Sequence, residues 1–179
     1  MELIRVGEKM ISLDRLVGVM EDMLRYRALG SSQIEVARKF NVDRSFVSRL
    51  ETLGEIRKGR SVALIGFPIA NTDEVQRLCQ KAGVDYCWVM TDRERRDFAE
   101  HLTGVELVNE IMRVAAELRT YDVVVLLASN ARVRLMEALL DARTVVPMIL
   151  GETPLLEDVH VQADQLLQLI DAVRLAGEG

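Results

Sequence analysis

Four apolar runs constrain this chain more than any other feature: SVALIGF (61–67), DYCWVM (85–90), DVVVLLA (122–128) and TVVPMIL (144–150). Each is rich in Val, Leu or Met and lacks polar alternation, the mark of strands covered on both faces. Helical periodicity fills the rest, near 72–82, 93–102, 104–120, 130–142 and 163–176. Thr103 and Glu106 have the spacing of a capping box. Strands alternating with helices at this spacing predict an α/β domain built on a parallel sheet with right-handed crossovers.

Before Gly59 the pattern is purely helical. Leu13, Leu16, Val17, Met20 and Leu24 fall on one face, with Ser12 as N-cap and Gly30 as stop. Ser32 and Glu35 form a capping box that opens a second helix. A third follows Asp43 and runs to about Leu53, closed by Gly54. The chain therefore divides into a helical head, 1–58, and an α/β body, 59–179. The connection, 54–60, is so short that the two parts are expected to be mechanically coupled.

The stretch QIEVARKFNVDRSFVSRL (33–50) has the requirements of two crossed helices. Ala37 is small where the helices cross. Asn41 tolerates a left-handed backbone in the turn. Val36, Phe40, Val42, Val47 and Leu50 lock the second helix onto the first. This stretch resembles the helix-turn-helix of bacterial transcription regulators, especially the Cro/repressor type. Gln33, Ala37, Asn41, Val42, Asp43, Val47, Ser48 and Arg49 occupy its positions. Two departures stand out: Asn41 replaces the usual turn glycine, and the last two helices of the Cro/repressor domain are replaced by a strand. The resemblance covers residues 32–53 and implies a three-helix head with double-stranded DNA as partner.

On that resemblance, the recognition helix presents Arg44, Ser45, Ser48, Arg49 and Thr52 outward and Phe46, Val47 and Leu50 inward. Arginine reads guanine edges, and Ser or Thr reaches bases or phosphates. Gln33 would bond a phosphate, as its counterpart does in that family. Lys39, Arg57, Lys58 and Arg60 would add sequence-blind phosphate contacts. Residues 55–63 are a candidate wing turning at Lys58-Gly59. A symmetric homodimer is expected, because one head contacts too few base pairs. Its interface is either the second stripe of the first helix, Val19, Met23 and Tyr26, or the α/β body.

Charge agrees with this division. Residues 1–60 carry 12 Lys and Arg against 9 Asp and Glu, whereas the remainder carries 11 against 19. A net charge of −5 thus hides a basic head on an acidic body. No apolar run approaches a membrane span, and MELIRVGEKM lacks the apolar core of a secretory signal. Cys79 and Cys87 lie in apolar surroundings without metal-ligand spacing, as expected of free thiols in a cytoplasmic protein.

The body shows no catalytic signature. G-x-G-x-x-G, the P-loop, the receiver aspartate cluster and G-x-S-x-G are all absent from the sequence. His101 and His160 have no evident carboxylate and nucleophile partners of a catalytic arrangement. No enzyme, cofactor or metal is expected. The expected fold is a three-layer, Rossmann- or flavodoxin-like sheet, which binds ligands beyond the carboxyl ends of its strands. There Asn71 and Thr72 follow the first strand, and Ser129 and Asn130 the third, with Arg132 one turn into the next helix to hold an anion. Arg93, Arg95 and Arg96 are expected on a solvated helix face. The sequence reads as a regulator whose body senses a small-molecule effector. Two alternatives are a body that only docks a protein, and an enzyme with an autoregulatory DNA-binding head.

Overall fold

The computed structural model describes residues 2–55 and 58–174. Contacts divide the chain into two compact units, 1–55 and 56–179. Arg57, assigned above to phosphate contact, lies outside the described residues, as does Ile56.

The first unit opens with a feature that helical periodicity hides. Strands β1 (Leu3–Val6) and β2 (Lys9–Ser12) form an antiparallel hairpin pairing Val6 with Lys9. Gly7 occupies the left-handed region, as a two-residue turn led by glycine requires. Helices α1 (Leu13–Ala28), α2 (Gln33–Phe40) and α3 (Arg44–Leu53) follow. Ser12 caps α1 by accepting from the Arg15 amide, and the Ser32–Glu35 capping box is complete. Asn41 ends α2 in the left-handed conformation expected of it, φ 52° and ψ 50°. Its neighbour Val42 donates its amide to the Ala37 carbonyl and turns its side chain onto the core.

That core is Met23, Val36, Ala37 and Val47, flanked by Tyr26, Phe40, Val42 and Leu50. It reverses the expected facing of α1. Met23 and Tyr26 are the inward residues and so unavailable as a dimer stripe, whereas Val19 of that stripe is exposed, as are Leu16, Val17 and Leu24. The reason is tertiary: α2 and α3 pack on the Met23 side, where Tyr26 meets Phe40 edge to face at 5.8 Å. Phe46 is also corrected. It is 43 % exposed, while Val47 fills the inward position.

The second unit is the α/β body. Its parallel sheet comprises β3 (Val62–Gly66), β4 (Tyr86–Val89), β5 (Val123–Ser129) and β6 (Val145–Gly151) in the order β4-β3-β5-β6. Counted within the body this is 2-1-3-4, a doubly wound arrangement. Helices α4 (Thr72–Lys81), α5 (Asp92–Glu100), α6 (Gly104–Leu118), α7 (Asn130–Leu139) and α8 (Ala163–Val173) complete it. Side chains alternate along the strands, as the pleat demands. Val62, Leu64, Val123, Val125 and Leu127 pack with α4 and α8. Ala63, Ile65, Val124, Leu126 and Ala128 pack with α6 and α7 on the other face. The central strands β3 and β5 are buried throughout, whereas the edge strands β4 and β6 are only partly covered.

The candidate wing does not form among the described residues. Gly59 instead bridges Arg174, its amide bonds the Val173 carbonyl, and Val62 enters β3. Asp122 clamps this entry by accepting from the Arg60 and Ser61 amides at 2.9 and 3.1 Å. No helix among the described residues is long and apolar enough to cross a membrane.

Candidate nucleic-acid interface and ligand crevice

The polar face of the three-helix unit is organised around Glu51. Its carboxylate pairs with Arg27 and accepts from Gln33 Nε2 at 2.7 Å. Gln33 Oε1 in turn accepts from Arg44 Nε at 3.3 Å. Arg27 also donates to the Ser31 carbonyl. This network ties α1, the start of α2 and both ends of α3 together. The Arg27 hydrogen bond, and then that of Gln33, hold the Glu51 carboxyl below the usual glutamate value. Arg27, Ser32, Gln33, Ile34 and Arg44 line a shallow depression here. Arg27 and Glu51 escaped the sequence reading, because their partnership spans 24 residues and carries no local pattern.

On α3, Ser45, Arg49 and Thr52 are exposed opposite Val47, and Ser48 is half-buried beside them. Thr52 donates its hydroxyl to the Ser48 carbonyl at 3.0 Å. Arg49 makes no ion pair among the described residues, so its guanidinium is available to an external acceptor. Lys39 is held 3.4 Å above the Tyr26 ring. Lys58 and Arg60 are exposed and belong to the second unit.

In the body, the expected ligand residues divide by role. Asn71 is fully engaged: its Nδ2 donates to Glu74 and to the Val161 carbonyl, and its Oδ1 accepts from the Val161 amide, at 2.6–2.9 Å. Ser129 is buried and accepts from the Thr153 hydroxyl at 2.8 Å. Asn130 Oδ1 accepts from the Ala131 and Thr153 amides. These side chains tie loops to one another. Thr72 sits half-buried at the start of α4.

Arg132 borders a cavity. That cavity, of about 240 Å³, lies between the sheet and α5, α6 and α7. Phe67, Trp88, Phe98 and Leu126 contribute to its apolar wall, and Arg95 joins Arg132 at its edge. Arg95 therefore leaves the solvated face expected for it, although Arg93 and Arg96 keep to exposed positions beside Asp97 and Asp92. Burial first, and then the positive charge of Arg95, lower the Arg132 pKa, with Asp92 opposing. The two thiols are free, with Cys79 buried in α4 and Cys87 half-buried in β4. Their mutual hydrogen bond, together with burial, pushes the Cys79 thiol far up. No cluster of metal-binding side chains occurs among the described residues.

The chain matches no protein-family model, no curated protein and no solved structure.

Proposed function

We propose that the chain is a DNA-binding transcription regulator whose first unit is a helix-turn-helix head and whose α/β body senses a small molecule. The observation that carries this reading is the α2–Asn41–α3 pair. A left-handed turn residue sets two short helices across each other, and the second presents Ser45, Arg49 and Thr52 to solvent. A recognition helix needs that face to enter a major groove, with arginine to read guanine. The depression lined by Arg27, Gln33 and Arg44 supports a phosphate contact at the start of α2.

The regulator works as a homodimer, so that two heads read two half-sites. The exposed Leu16, Val17 and Leu24 of α1 offer an apolar surface for the second copy. The reading assigns no catalytic step to the body.

One observation favours the alternative of a body that docks a protein. Val105, Val108 and Met112 form an exposed apolar stripe on α6, at 73, 59 and 67 % exposure. Selection from a pool of random duplexes, followed by sequencing, tests the regulator reading. Recovery of an inverted repeat with half-sites about one helical turn apart supports it. Recovery of no preferred sequence counts against it and in favour of the docking body.

A further inference from the structure

The cavity beneath α5, α6 and α7 combines an apolar wall with a charged edge. Its wall is built from Trp88, Phe98, Leu107, Leu126 and Met136. Its edge carries two guanidiniums, Arg95 and Arg132, close enough that each feels the other's charge. Arg132 has no ion pair or hydrogen bond among the described residues and rests on the Phe67 ring, 5.1 Å from its centroid. Arg95 reaches Asp92 through one terminal nitrogen at 2.5 Å, while its Nε is buried without a partner. A buried donor without an acceptor costs free energy that a bound acceptor would recover.

Position adds to this. Phe67 follows β3 and Arg132 lies one turn beyond β5. The chain leaves β3 toward β4 on one side and leaves β5 toward β6 on the other. The cavity edge is therefore the switch point of the sheet, where doubly wound folds take their ligands.

Charge sets the ligand class. The charged residues that line the cavity are Arg95 and Arg132 against a single carboxylate, Glu110. Arg113 holds Glu110 through two hydrogen bonds of 2.6 and 2.9 Å. One positive charge is left over, and it is matched by a monoanion. The apolar wall and the volume of about 240 Å³ suit a compact hydrophobic body.

We infer that this cavity binds a monocarboxylate with a compact apolar body, its carboxylate on Arg132 and the Nε of Arg95, its body against Trp88 and Phe98. The inference rests on the reading of the body as ligand-binding and is independent of the DNA reading.

Trp88 is the only tryptophan of the chain and stands in the cavity wall, 5.7 Å from Phe98. It is a built-in reporter. The full-length protein is titrated with octanoate, octan-1-ol and acetate, following Trp88 emission and, in parallel, calorimetric heat. Saturable octanoate binding is expected, with octan-1-ol at least about tenfold weaker, the scale of one charge-assisted contact, and acetate at least about tenfold weaker for want of the buried apolar body. Arg132→Met, and separately Arg95→Met, should remove that preference while octan-1-ol binding and the far-ultraviolet circular dichroism stay unchanged. Equal binding of octanoate and octan-1-ol, or octanoate affinity unchanged in both variants, overturns the anion class while leaving a ligand cavity. Absence of saturable binding by either compound in both readouts overturns the cavity as a ligand site as well. No DNA is present, so neither result bears on the head.

Discussion

Replacing Glu51 with glutamine should move stability and DNA affinity in opposite directions. The carboxylate holds Arg27 in an ion pair and accepts from Gln33, with both charged side chains about 30 % exposed. Glutamine keeps an acceptor oxygen but loses the charge. The cost to the first unit is about 1 kcal/mol, between an exposed pair and a fully buried one, or roughly 4–8 °C in Tm for a unit of this size. The pH dependence has a definite sign. Because the Glu51 pKa is lowered on folding, its contribution is complete above the ordinary glutamate value. It is lost as pH falls through the lowered one. The variant should lack that acid-side loss.

Affinity should rise in the same variant. Arg27 lines the depression with Gln33 and Arg44, and Glu51 neutralises it. Freed, it reaches one more phosphate. Each added phosphate contact steepens the log–log salt dependence by about 0.9, worth about 8-fold in affinity at 0.1 M salt. Thermal melts measure the first effect, and anisotropy of a short labelled duplex over a salt series measures the second. If affinity and salt slope equal those of the wild type while Tm falls, the depression does not face a phosphate.

Three further outcomes are expected. Gly59→Ala should destabilise the body by about 1–3 kcal/mol in urea unfolding, because a Cβ there would lie 2.0 Å from the Asp122 Cβ; a neutral result would mean that the Gly59 entry is loosely held. At neutral pH iodoacetamide should label Cys87 faster than Cys79, since the shared hydrogen bond lowers the one pKa and raises the other; mass spectrometry of the alkylated peptides reads the order, and equal rates contradict it. A Gly-Ser insert between residues 55 and 56, where the two units meet in sequence, should leave DNA and effector binding intact and abolish the effector's influence on DNA affinity, about 1–3 kcal/mol of coupling. A full response by the insert variant would sink coupling through the connection.

The parallel sheet was legible because β3 and β5 are buried on both faces and so leave unbroken apolar runs. The caps at Ser12, Ser32 and Thr103 were legible because their chemistry is local. The hairpin β1–β2 was not, since its side chains face solvent and impose no burial pattern. The inward face of α1 was misjudged because two apolar stripes compete there, and only packing by α2 and α3 selects Met23 and Tyr26. At the crevice, Asn71, Ser129 and Asn130 were correctly placed at strand ends, but their polar atoms bind loops that lie far away in sequence. Arg95 carried a usable signal: Phe98, three residues on, marks the same side of α5 as facing the sheet.

The central claim is that α3 reads DNA. Its most direct test is the affinity of wild type and Arg49→Ala for a selected duplex and a scrambled one, measured from low to physiological salt. The wild type should bind both, prefer the selected duplex, and weaken on each as salt rises. Arg49→Ala should lose about 1–3 kcal/mol on the selected duplex alone. No binding to either duplex at low salt, or an identical preference in wild type and Arg49→Ala, would contradict the account.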